Sequence, residues 1–141
     1  MSYRDIVYQA IVTDPQLQAM GLTASHVKQA RGLDVRPSDT VFAMIRWYDE
    51  GQPPFGRVKP PRRMSVYVHV PEEKTNDFTK IDDALDRIEE VLVGLEQVEG
   101  AGGHWVTCVR YTGRSEDTKD EGLQTYYRYA NFEVLYRREA A

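Results

Sequence analysis

Residues able to do chemistry are few in this 141-residue sequence, and they are scattered. The three histidines, His26, His69 and His104, stand in three separate segments at none of the spacings that hold a metal ion. Each reads as a surface or strand histidine. Cys108, the single cysteine, sits between Val106 and Val109, where a small buried hydrophobe is expected. A catalytic thiol needs a neighbouring base, and the sequence supplies none. One cysteine also excludes an internal disulfide framework and a cysteine-rich zinc site. Gly100-Ala101-Gly102-Gly103 follows a helical pattern instead of leading into one, the reverse of a phosphate-cradling loop. No serine stands in a Gly-x-Ser-x-Gly elbow. The acidic stretch at 115–122 has oxygen ligands enough for calcium, but it lacks the alternating EF-hand spacing and places Lys119 among the acids. The sequence therefore predicts no enzyme, no metal and no cofactor.

Nucleic acid is the next partner class to test. Tyr126-Tyr127-Arg128-Tyr129-Ala130-Asn131-Phe132 concentrates aromatics as single-strand-binding sheets do. The glycine of an RNA-recognition strand is absent, Glu133 intrudes, and the chain begins with a helix where that fold begins with a strand. An ordinary core strand with Arg128, Ala130, Phe132, Val134 and Tyr136 on one face explains the run more simply. The net charge of −4 also disfavours a protein built to grip phosphate backbone.

Charge distribution says more than the total. Residues 72–99 hold ten acids against Lys74, Lys80 and Arg87, a balance of −7, so the remainder of the chain is +3. Arg57-Val58-Lys59-Pro60-Pro61-Arg62-Arg63 alone is +4. One acidic element and one basic loop make a two-signed surface, able to steer a partner or to join copies of the chain. With 41% hydrophobic and 28% charged residues the composition is that of one globular domain spanning 1–141, and no stretch reads as a signal peptide or a membrane span.

Hydrophobic periodicity supplies the elements. Ile6, Val7, Ala10 and Ile11 share a face of a first helix within the N-terminal region 1–20, Asp14-Pro15 starts a second turn, and Gly21 stops it. Residues 21–39 read as a connection with room for a short strand. In 40–48 both faces are partly apolar, which predicts an interior strand or a second face covered by another copy. A proline-rich basic loop over 49–63 leads to a strand at 64–70. Ile81, Leu85, Ile88, Leu92 and Leu95 form one stripe of a helix over 80–98, with Thr79 and Asp82 as a capping box and Gly100 to Gly103 as its end. Strands at 104–112 and 124–137, joined by a charged loop at 113–123, close the chain. The order αββαββ predicts an α+β domain: a small mixed, mainly antiparallel sheet with two helices packed on one face.

Several segments together resemble the tail-terminator proteins of long-tailed, non-contractile bacteriophages. They are Asp34-Val35-Arg36-Pro37, Phe42-Ala43-Met44-Ile45-Arg46-Trp47, Arg63-Met64-Ser65-Val66-Tyr67-Val68-His69, and Asp77-Phe78 leading to Ile81-Asp82. The most specific are Gly113-Arg114-Ser115-Glu116-Asp117, then Asp120-Glu121-Gly122, Thr125, Arg128 and Ala130-Asn131-Phe132. The resemblance covers about residues 34–137. It implies a homo-hexameric ring that caps the tail tube of the virion at its head-proximal end, having assembled in the host cytoplasm. Such a ring stops polymerisation of the major tail tube protein, presents its other face to a head-completion or connector protein, and lets genomic DNA pass its lumen without specific binding. A ring of identical subunits needs two different complementary surfaces. Arg57, Lys59, Arg62 and Arg63 are expected to meet an acidic helix face carrying Asp82, Asp86 and Glu90, or an acidic face of the tube. The charged loop with Arg114, Glu116, Asp117, Asp120 and Glu121 is expected to dock on the tube. The alternatives are another head–tail joining protein, a head-closure or minor tail component, or a single-stranded nucleic-acid binder using Tyr126, Tyr127 and Tyr129.

Overall fold

The stripe Ile81, Leu85, Ile88 and Leu92 is wholly buried in the computed structural model, which describes residues 2–48, 61–74 and 78–138. In chain order the elements are α1 (Tyr3–Val12), α2 (Pro15–Ala19), β1 (Val27–Gln29), β2 (Phe42–Trp47), β3 (Arg62–Pro71) and α3 (Thr79–Val93). They continue with β4 (Glu96–Glu99), β5 (His104–Arg114), β6 (Thr118–Asp120) and β7 (Thr125–Arg138). The sheet runs β1-β2-β3-β7-β5-β4, with β6 also beside β7. Among the described residues only β1 and β2 pair in parallel, so the sheet is mixed and mainly antiparallel, as the sequence predicts. Where two helices and four strands were expected, the described residues form three helices and seven strands.

Alternation along the strands divides the sheet into two faces. Ala43 and Ile45, Met64, Val66 and Val68, and Ala130, Phe132 and Val134 are at most 1% exposed, and all join one apolar cluster with the helices. Helix α3 touches β3, β5 and β7, α1 touches α3 and β5, and α2 leans on both other helices. Burial on this scale, about 25 cal/mol per Å² of apolar surface, is what holds the helices to the sheet. The interior position expected for the 40–48 segment is realised, since β2 lies between β1 and β3.

Local capping explains the first helices. Ser2 caps α1 with a complete capping box, its hydroxyl accepting from the Arg4 amide and Asp5 accepting from the Ser2 amide at 2.8 Å. Asp14 caps α2 by accepting from the Leu17 amide at 3.0 Å, with Pro15 in the first turn. Gly21 ends that segment at φ 97°, where a Cβ would stand 2.9 Å from a Val41 methyl.

Two predicted boundaries are corrected. Helix α3 stops at Gly94 instead of continuing to 98, and Leu95 packs against the core from outside it. The residues after the glycine open into β4, which places Val98 opposite Val106 on β5 and lets the chain run against α1. That approach is tight enough that a Cβ on Gly100 would lie 2.9 Å from Ile6 Cγ1. The Thr79–Asp82 capping box is not made either; the N-cap position falls to Phe78, and Asp82 bonds Arg128 instead.

The second correction concerns 113–123, nearly half of which is strand. Strand β5 continues to Arg114 opposite Ala130, and β6 resumes the pairing with Thr118 opposite Tyr127. At 14 residues β7 outreaches the first part of β5, and β6 covers what would otherwise be an open edge.

Denaturant unfolding tests this packing. Ile88→Ala should cost about 2–5 kcal/mol by cavity formation, while Val93→Ala, half-exposed on the same helix, should stay within about 0.5 kcal/mol of the parent. Gly100→Ala should cost about 1–3 kcal/mol, because α1 must yield to the added methyl.

Candidate functional site

The acids expected to face a neighbour are largely engaged by arginines of their own chain. Arg114 reaches Asp86 at 2.8 Å and Glu89 at 3.4 Å, tying the end of β5 to α3. Arg128 bonds Asp82 on α3, lies 3.4 Å from Asp117, and donates to the Ser115 carbonyl at 3.0 Å. Arg87 grips Asp14 with two bonds of 2.7 and 3.0 Å and holds Glu90 at 3.0 Å. These pairs pull the Arg87 and Arg114 guanidiniums further towards the charged form, and Arg87 holds the Asp14 carboxyl below its usual range.

The other expected site residues are dispersed. Arg57 and Lys59 lie outside the described residues. Arg62 and Arg63 open β3, with Arg63 exposed opposite Glu133. Asp120 is used locally, accepting from the Leu123 amide at 2.9 Å to close the turn after β6. Glu116 and Glu121 are exposed, and Lys119 lies 3.1 Å from Glu72 and 3.8 Å from Glu121. The structure thus brings Arg114, Asp86 and Asp82 into a buttress between α3 and the sheet, while Glu116 and Glu121 stay on the surface.

The tyrosine run does not form one platform. Tyr126 faces the helices and packs on Phe78, whereas Tyr127 and Tyr129 gather on the opposite face around Tyr67. There His69, 4% exposed, stacks on Phe42 and Tyr127 at 4.8 and 4.9 Å and shares a hydrogen bond of 2.8 Å with Thr125 Oγ1. Burial pushes its pKa down to about 4, only partly opposed by Asp120. The Tyr67 hydroxyl is pushed upward by burial and by its contact with Tyr48. His69 therefore holds a neutral imidazole as part of an aromatic layer. Among the described residues no group of three or more His, Cys, Asp or Glu is placed to hold a metal, and no helix is long and apolar enough to cross a membrane.

Two surfaces were not legible as sites. A cleft of about 190 Å³ at the β1 edge is lined by Arg4, Gln29, Arg31, Trp47 and Arg62. A groove of about 310 Å³ between α1 and β4 is walled by Ile6, Ala10, Leu95 and Val98, with Asp5 and Glu99 adding charge. The signal for the first was the +3 balance outside 72–99; that for the second was masked by reading 96–98 as helix.

No protein-family model matches this sequence, and no curated protein matches it significantly. Among solved structures the fold is similar to a chain in the virion of a native gene transfer agent particle. The TM-score is 0.67 at 16% identity, over 91% of this chain and 89% of that one. A second solved chain is similar with a TM-score of 0.51 at 13% identity, over 96% of this chain and 98% of that one. The likeness is one of fold.

Two titrations follow from the buried groups. His69 is neutral in the fold but protonates below its ordinary value near 6.5 when unfolded. The unfolded state therefore binds more protons, and stability should fall by up to about 3 kcal/mol as pH drops from 6.5 towards 4. In His69→Phe that limb should flatten in pH-dependent melts, whatever the baseline. Asp14 acts lower: its contribution is present above the unfolded carboxyl value and is lost as pH falls through the depressed folded one. Asp14→Asn should remove about 1–3 kcal/mol at neutral pH and little at the acid end.

Proposed function

We propose that this chain is a virion structural protein that assembles as a homo-hexameric ring on the head-proximal end of a phage tail tube. The ring ends tube polymerisation and offers its other face to a head-completion or connector protein. The single observation that carries this reading is the fold shared, nearly end to end, with a chain of a gene transfer agent virion. The resemblance of residues 34–137 to tail terminators supports it from a separate direction, through segments that here fall on β2, β3 and β7 and on the β5–β6 break.

Such work is recognition by shape and charge. A rigid sheet buttressed by α3 suits it, because a cap must hold one geometry while the next ring of tube is refused. Exposed Glu116, in the break between β5 and β6, and Glu121, in the turn after β6, are the tube-facing acids in this reading. The genome passes through a lumen without Lys- or Arg-rich lining, since a basic channel would retain phosphate.

Negative-stain microscopy of tails assembled with and without the purified chain tests the proposal. Tubes of uniform length bearing a terminal ring are expected with it, and overlong uncapped tubes without it. Tube lengths indifferent to the chain would overturn the reading. Glu116→Lys with Glu121→Lys should lengthen tails while leaving the melting temperature within about 2 °C, because both side chains stand in solvent.

A further inference from the structure

Among the described residues the main run of strands ends on β1 at one side and on β4 at the other, and the charges at these two edges are opposite. At the β1 edge Arg4, Lys28 and Arg31 are exposed. The Arg4 guanidinium lies 5.6 Å over the Trp47 ring, and Trp47 donates through Nε1 to Gln29 at 3.0 Å, so this edge is laid out by fixed side chains. At the other edge Glu96 and Glu99 are exposed, and Glu99 lines the apolar groove between α1 and β4.

Within one chain these edges are not neighbours in the sheet, although α1 borders both, with Arg4 at the β1 edge and Asp5 and Ile6 at the groove. Strands β2, β3, β7 and β5 stand between them. Nor does β4 offer a clean edge for strand addition. Gln97 adopts φ 51° and falls out of the ladder, and its side-chain oxygen accepts from Arg137 at 3.1 Å. A contact here must be made by side chains, because the interrupted edge resists backbone pairing.

We infer that the β1 edge of one copy docks on the β4 edge of a second copy, Lys28, Arg31 and Arg4 meeting Glu96 and Glu99. The groove gives the aliphatic stems of Lys28 and Arg31 an apolar surface to cover while their charged heads reach the carboxylates. Because the two patches differ and lie on opposite edges, the contact is head-to-tail and repeats from copy to copy, as a closed ring requires. The inference names the surfaces of the ring in the proposed function and rests on that reading for the ring alone. It moves the acidic partner from α3, where Asp82, Asp86 and Glu90 have arginines of their own chain, to the strand that follows.

Zero-length carbodiimide coupling joins only touching amines and carboxylates. Applied to the purified full chain at concentrations rising to millimolar, it should yield chain-to-chain Lys28–Glu96 or Lys28–Glu99 links by mass spectrometry. Lys28→Glu with Arg31→Glu should weaken self-association in sedimentation at least tenfold. Adding Glu96→Lys and Glu99→Lys to the same chain should restore it, and melts of each variant check that it folds. Absence of the links, or a four-fold variant no better than the two-fold one, would overturn the inference. No tail tube is involved, so the readings fail separately: edge-linked rings that leave tubes uncapped count against the proposed function and leave this contact standing.

Discussion

Strand β7 is the member on which the other pairings depend. Its 14 residues pair with β3 along one side and with β5 and then β6 along the other, so among the described residues the two halves of the sheet are joined through it. Ala130, Phe132 and Val134 on one face anchor the apolar cluster under α3, while Tyr127, Tyr129 and Asn131 order the opposite face. A change that slipped its register by one residue would send the core set outward and the polar set inward. Ser65 donating to Asn131 across the β3–β7 pair adds a side-chain lock on that register.

Charge has two different duties in this molecule. Arg87, Arg114 and Arg128 are only partly exposed, 25%, 15% and 22%, and each bridges elements distant in sequence. Removing one partner of such a half-buried pair strands the other charge, which is why these pairs act as structural ties. The charges of the β1 and β4 edges stand in solvent, where ion pairs add little to folding stability. Their chemistry is available for another chain. The same arithmetic of −7 and +3 therefore divides into an internal buttress and an external pair of surfaces.

Much of the architecture was legible because burial imposes a period. Ile6, Val7 and Ile11, the stripe from Ile81 to Leu92, and the alternation of Val66, Val68 and Val70 all lie on the buried faces their spacing indicates. The limits of that reasoning show at Leu95 and at 113–123. Leu95 continues the helical spacing, yet Gly94 ends α3 and the following residues gain a strand partner in β5. Charged residues at 116–121 read as loop, yet the pairing demand of β7 draws Thr118–Asp120 into the sheet.

The sequence by itself determined the class of the fold, the core faces, the interior place of β2, and the uneven division of charge along the chain, because hydrophobic period and charge count are local properties. Only the tertiary structure decided which charges are spent inside the chain. Asp82 and Arg128 are 46 residues apart, and Asp14 and Arg87 are 73 apart, so no local pattern announces either bond. The same folding left Lys28 and Glu99 at opposite ends of one sheet, a separation set by strand order, which no local period records.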